Sequence, residues 1–179
     1  LKNIFKKYEV DGTWYAHASV GCLHVRPVLN MKLKKDVIKM RNIAEEAANL
    51  IKKFHGSFSG EHGDGIVRSE FIEVMFGKKM NDIFKKIKNI FDPKNIFNPG
   101  KIIDAPKMDD RNYFRFSPGY EAIDMNTILD WSAWEGKSSG FQGAVEMCNN
   151  NGACRKLDNG VMCPSYRATL DEKDSTRGR

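Results

Sequence analysis

The stretch HASVGCLHVRP, residues 17–27, decides how the first half of the chain is read. It sits inside GTWYAHASVGCLHVRPVL, residues 12–29, rich in aromatic and β-branched residues and interrupted at Ala18-Ser19 and at Gly21. Such runs suit pleated strands and small residues between them suit a turn, so the segment predicts a strand, a turn and a second strand. Pro27 has no backbone N–H to give to a ladder and marks where the pairing ends. Two of the four histidines, His17 and His24, fall here, one on each arm. Imidazoles so placed can converge on one cation, imidazole being the commonest protein ligand for zinc-like metals. They can equally be hydrogen-bonded residues of a sheet that holds no metal, and the spacing leaves both readings open.

Outward from this hairpin the pattern is helical. Leu1, Ile4 and Phe5 suit the end of a helix over residues 1–8. Over residues 34–54, Val37, Met40, Ala44, Ala47, Ile51 and Phe54 recur at three- and four-residue steps, with Glu45, Glu46, Lys52 and Lys53 on the other face. His55-Gly56 is expected to close that helix, Gly being common just past a helix end. A short helix is expected from Arg68 to Phe76, ending at Gly77. KKMNDIFKKIKNIFDP, residues 78–93, predicts another, with Met80, Ile83, Phe84, Ile87 and Ile90 inward and an end forced before Pro93. NPGK at 98–101 is a turn, and from 102 to about 143 periodicity is weak. No internal repeat is present. The fold class expected is α+β, an antiparallel sheet flanked by helices, then an irregular linker and a small cysteine-rich segment.

Between the two long helices lies FSGEHGDGIVRSEF, residues 58–71. Glycine and aspartate punctuate turns, but a plain turn does not need the acid–imidazole pair Glu61-His62. A carboxylate commonly completes a two-histidine metal site, and three protein ligands leave positions open for substrate. Arg26, two residues beyond His24, and Arg68, after the loop, are candidate anion clamps, because the planar guanidinium fork matches a carboxylate. Ordinary surface arginines would look the same. His55 and Asp64 read as a helix-end histidine and a turn aspartate.

Composition narrows the classes. The chain has 179 residues, 41% hydrophobic, with no apolar run approaching the ~20 residues of a membrane span. Its +6 charge, from 29 basic and 23 acidic residues, sits on lysines at helical spacing rather than on a basic stripe with interleaved aromatics, so a nucleic-acid partner is not expected. The chain opens on Leu1 without an export leader and stops at STRGR. It is read as a piece of a longer protein, cytoplasmic and peripheral to the inner face of a membrane. Cys22 stands alone, whereas Cys148, Cys154 and Cys163 crowd near the end. An odd set without a leader reads as thiolate ligands rather than as a disulfide framework.

HASVGCLHVRP, then SGEHGDGIVRSEF after one long helix, then FDPKNIFNPGKI, together resemble the C-terminal domain of FAD-linked oxidases, the group of glycolate oxidase subunits, D-lactate dehydrogenases and D-2-hydroxyglutarate dehydrogenases. The resemblance covers about Leu1 to Ile103, with the motifs in order. It implies that His17, His24 and Glu61 hold a divalent metal such as zinc, and that His62 takes the substrate's hydroxyl proton. It further implies that Gly60, Gly63, Asn98 and Lys101 lie by the FAD, and Arg26 and Arg68 by the substrate. Many relatives read HxGDGNxH where this chain has HASVGCLH, so Ser19, Val20 and Cys22 replace polar neighbours of that turn. Some place Asn where Arg26 stands, which bears on substrate preference. The HASVGCLHVRP form is similar to the long members fused to an iron–sulfur portion.

The tail bears on that subgroup. A ferredoxin-type run is Cys-x2-Cys-x2-Cys-x3-Cys-Pro, whose soft, anionic thiolates bind iron. Cys148 and Cys154 keep its first and third places, and Cys163-Pro164 its terminal pair, while Asn151 occupies the second place and the last gap is longer. Three thiolates cannot complete a 4Fe-4S cubane, so further ligands are expected beyond Arg179. A zinc knuckle would want a paired Cys-x2-Cys, which is absent. The organisation expected is a substrate and metal domain over 1–105, a linker over 106–143 and the start of an iron–sulfur domain over 144–179. The function expected is oxidation of a D-2-hydroxyacid, with hydride to FAD and electrons passing through iron–sulfur clusters to a quinone or carrier protein. The N-terminal FAD-binding domain and a downstream iron–sulfur domain of the same polypeptide are the expected partners, and the fragment alone is expected to be inactive. The alternative is a non-catalytic metal-binding or electron-carrier module.

Overall fold

The computed structural model describes residues 1–123, 125–134, 140–160, 162–176 and 178. The chain divides into two compact units, Leu1–Tyr120 and Glu121–Arg179. The first is α+β. Helix α1 (Lys2–Lys7) leads into strands β1 (Gly12–His17) and β2 (Cys22–Pro27), which form a two-stranded antiparallel sheet. Then follow the long α2 (Lys34–Lys53), the short α3 (Gly65–Arg68) and α4 (Ile72–Phe76), and α5 (Lys78–Phe91).

The hairpin turn is a 3-10 turn over Ala18–Val20 closed by Gly21, whose φ of 65° favours a residue without Cβ. The register pairs Tyr15 with His24 and His17 with Cys22. Side chains on a strand alternate faces, so Tyr15, His17, Cys22, His24 and Arg26 share one face and Trp14, Leu23 and Val25 the other. The second face reaches the core. Phe5 stacks 5.1 Å from Trp14, and Val25 packs on the cluster of Ile4, Phe5 and Ile43. A Cβ on Gly12 would come within 2.3 Å of the Phe5 ring, so this close approach needs glycine.

Helix α2 carries the core on two sides. Ile43 belongs to the hairpin cluster, whereas the fully buried Ala48 meets Phe71 and Met108 in a second cluster, with Met40, Ala44, Phe58 and Met75 around it. The small Ala47 and Ala48 let neighbouring elements approach closely. The buried set is therefore Val37, Ile43, Ala47 and Ala48, and Phe54, expected inward, is exposed, because it lies past the last turn at the C-cap. The left-handed position after the helix is taken by His55 (φ 55°), and Gly56 instead returns its N–H to the Ile51 carbonyl.

Arg41 ties this second side together. Its guanidinium donates to Glu45, Glu70 and Asp109 at 2.8–3.0 Å, and Glu70 also accepts from the Met108 N–H. Burial alone would lower the Arg41 pKa, but the hydrogen bonds to Glu45, Glu70 and Asp109 outweigh it and raise it. Met108 and Asp109 thus hold residues just past 105 to the first unit, whose boundary falls after Tyr120. Helix α5 departs from expectation. None of its residues is buried, and Ile83, Ile87 and Ile90, expected inward, are exposed. It meets the rest of the unit through Phe84, whose ring lies 6.4 Å from Phe76, and through Lys85, paired with Asp104.

The second unit contains α6 (Gly140–Glu146), α7 (Pro164–Thr169) and short 3-10 turns. Residues 135–139 of the expected linker lie outside the described residues. No helix among the described residues is long and apolar enough to cross a membrane.

Candidate functional site

His17 and His24 meet because of the register. His24 faces Tyr15, so His17, two residues on, is its diagonal neighbour on the same face, within reach of a side chain. Their rings lie 5.0 Å apart, edge to face. The Glu61 carboxylate reaches them from the loop after α2, with Oε1 2.8 Å from His24 Nε2 and Oε2 3.4 Å from His17 Nε2. One ligand atom from each of the three residues lies within 4.8 Å of the others. The donor set of two imidazoles and one carboxylate suits a zinc-like divalent cation. Glu61 and His17 are exposed enough to leave it open on one side, while His24 is largely covered.

The loop is shaped to reach the hairpin. A Cβ on Gly60 would approach Cys22 Sγ to 2.9 Å, so glycine lets the backbone pass against β2 and sets Glu61 over the histidines. Gly63 takes φ 72°, and its carbonyl accepts from Arg68 at 3.1 Å. Arg68 therefore braces the loop from within the chain. His62 stands beside the triad with Nε2 2.8 Å from Glu61 Oε1 and its ring 5.8 Å from that of His24. It is the most exposed of these groups, and the same carboxylate oxygen serves both His24 and His62.

Arg26 extends from the same face of β2 as His24, its guanidinium 5.5 Å from the Tyr15 ring centroid. Asn98 and Lys101 lie in the turn after α5. Asn98 is left-handed at φ 52°, and the following Ile102 N–H donates to Ser69 Oγ at 2.8 Å. Ser69, almost fully buried, in turn donates to the Gly65 carbonyl, so the NPGK turn is fastened to the segment just after Gly63. Asp92 fixes the approach to that turn. It accepts from Lys88 at 2.5 Å and from the backbone N–H groups of Ile96 and Phe97 at 2.9 Å. The Lys88 hydrogen bond, helped by these two, holds its carboxyl below the usual range.

Sequence reasoning did not find Ser69, Asp92, Tyr15 or the Arg41 group. Asp92 had a signal in the Asp-Pro dipeptide after a helix; Ser69 had none, because its partners lie four and thirty-three residues away.

In the second unit, Cys148 is exposed, Cys154 half-buried and Cys163 buried. Cys163 Sγ accepts the Thr176 N–H at 2.8 Å, and Asn151 caps the Ala153 N–H at 2.9 Å, a turn role in the place of the missing cysteine. Among the described residues, the triad of His17, His24 and Glu61 is the one group of three such side chains close enough to share an ion, so the three thiols do not gather on one centre.

The family model described as "FAD linked oxidases, C-terminal domain" matches residues 1–102. The D-2-hydroxyglutarate dehydrogenase of Pseudomonas putida is 36% identical over 92% of this chain and 16% of its own length. That of Haemophilus influenzae is 36% identical over 100% of this chain and 17% of its own length. The D-lactate dehydrogenase of Archaeoglobus fulgidus is 33% identical over 55% of this chain and 21% of its own length. The chain thus spans about a sixth of the length of these two D-2-hydroxyglutarate dehydrogenases. With a histidine–carboxylate triad inside the matched residues, this chain belongs to the FAD-linked oxidases, through their C-terminal domain over residues 1–102.

Proposed function

We propose that this chain is the substrate and metal portion of a flavin-dependent D-2-hydroxyacid dehydrogenase, with a 2-hydroxyglutarate-type diacid as its first substrate. The observation that carries the reading is the convergence of His17, His24 and Glu61 with His62 beside them. The diacid is placed first because the relatives similar through 92–100% of the chain are D-2-hydroxyglutarate dehydrogenases, although a further one, from Stutzerimonas stutzeri, matches 51%, much as the D-lactate dehydrogenase matches 55%.

When bound, a divalent cation on the triad would withdraw charge from the substrate's hydroxyl and carboxylate oxygens, and FAD would take the hydride from C2. The chain's own residues do the rest. His17 and His24 are oriented by the ladder, and Glu61 by the Gly60 crossing. His62 accepts the hydroxyl proton, a role suited to a neutral imidazole. Glu61 would hold the cation together with His17 and His24. Arg26 offers its fork to the distal carboxylate of a diacid. Asn98 and Lys101 present the NPGK turn to the flavin.

Cys148, Cys154 and Cys163 would supply at most three of the four thiolates of a 4Fe-4S cluster. As a smaller part of the proposal, they form its first ligands, with the rest drawn from the longer polypeptide. Electrons leaving through it would reach a quinone or a carrier protein.

The test is anaerobic mixing of the longer, flavin-loaded polypeptide with D-2-hydroxyglutarate, D-lactate and glycolate. Bleaching of the flavin's visible absorbance, fastest with the diacid, is the expected result. Bound flavin that none of the three reduces overturns the reading in favour of a metal-binding module without catalysis.

A further inference from the structure

Helix α5 leans on its neighbours with the wrong side. Its half-buried contacts run through Asn81, which donates to Glu73, through Phe84 on Phe76, and through Lys85 to Asp104. The more apolar side, bearing Ile83, Ile87 and Ile90, is turned outward. At the helix end Phe91 is 81% exposed, and beyond it Ile96 and Phe97 are 65% and 69% exposed.

These last two are held firmly. Asp92 accepts both their backbone N–H groups, and Lys88 donates to Asp92 and to the Phe97 carbonyl. Exposed apolar side chains on a turn so braced are organised before binding, which lowers the entropic cost of docking. Exposed apolar side chains gathered on one helix side and the turn after it suit an interaction site.

The occupant is argued from length and position. The matched family model is that of a C-terminal domain and covers residues 1–102, while the chain spans only 16–17% of its D-2-hydroxyglutarate dehydrogenase relatives. The strip also runs directly into the turn carrying Asn98 and Lys101. We propose that Ile83, Ile87, Ile90, Phe91, Ile96 and Phe97 form the docking surface for the flavin-binding part of the same polypeptide, N-terminal to Leu1. Docking there would set the NPGK turn against the flavin. The inference rests on the flavoprotein reading above, but not on which acid is oxidised.

The experiment uses the longer polypeptide carrying a photo-crosslinking residue, Phe91→p-benzoylphenylalanine or Phe97→p-benzoylphenylalanine. Asn89→p-benzoylphenylalanine, on the opposite side of α5, serves as control. Illumination followed by peptide mass spectrometry is expected to join both aromatic positions to peptides N-terminal to Leu1, with loss of that crosslink in the control. Crosslinks to the same surface of a second copy, crosslinks confined to residues 1–120, or equal yields from position 89 each overturn the proposal. Flavin reduction is measured on the same samples. Reduction without the crosslink sinks the surface alone, and the crosslink without reduction sinks the substrate reading alone.

Discussion

The hairpin site and the cysteine segment are both short runs of metal-loving residues, yet the fold treats them differently. His17 and His24 ride on a ladder whose other face is packed by Phe5, Val25 and Ile43, and Glu61 arrives across a glycine that lies against Cys22. The convergence of these three side chains is a by-product of the core. Cys148, Cys154 and Cys163 sit instead among short turns fastened locally, by Asn151 to Ala153 and by Cys163 to Thr176. Protein contacts alone bring three metal-binding side-chain types together in the first region and do not in the second. A site built by packing would exist before any ion, whereas thiols in a turn-rich segment would need a bound cluster to gather them.

The largest expected effect separates the two regions by half-reaction. In the longer polypeptide, His62→Asn should slow flavin reduction about 10²- to 10⁴-fold, the range for losing a general base, with flavin and metal content unchanged. Cys163→Ser should leave that step intact and lower iron content and electron delivery to an external acceptor. Stopped-flow absorbance and metal analysis read both. Equal loss of flavin reduction in the two variants would break the comparison.

Stability sharpens it next. Phe71 is 4% exposed in the cluster that supports the Glu61 loop. Phe71→Ala should cost about 3–5 kcal/mol in denaturant unfolding. Arg41→Met leaves Glu70 and Asp109 without their shared donor and should cost about 2–3 kcal/mol. A cost near zero for either would mean that the loop is not held by the core.

The smallest effect is local and pH-dependent. The Asp92 carboxyl is held below its usual range in the folded chain, so its contribution is present above the unfolded value and lost as pH falls through the lower, folded one. Amide exchange at Ile96 and Phe97, taken relative to the intrinsic rate at each pH, should be slow at neutral pH and quicken only in that acid range. Asp92→Asn should quicken it throughout, while exchange in the hairpin stays the same.

Much of this was legible in the sequence, for identifiable reasons. The strands, the turn at Gly21 and the extent of α2 follow from local propensity, and His-x6-His across a four-residue turn becomes a diagonal pair on one face. The outward side of α5 was not legible, because periodicity identifies an apolar stripe without saying what covers it. Nor was the hold of Met108 and Asp109 on the first unit, since their partners Ala48, Glu70 and Arg41 are distant in sequence. Gly60 was read as room for flavin, and the structure adds a nearer use, the passage past Cys22 Sγ.

The central claim is that His17, His24 and Glu61 form one divalent-metal site, and metal content tests it most directly. The longer polypeptide, dialysed against zinc and then buffer and measured by plasma mass spectrometry, should retain one divalent ion per chain at this site. Retention should be lost in His17→Ala and in Glu61→Gln but kept in His55→Ala. Unchanged retention in both ligand variants, with the fold intact by circular dichroism, would contradict the account.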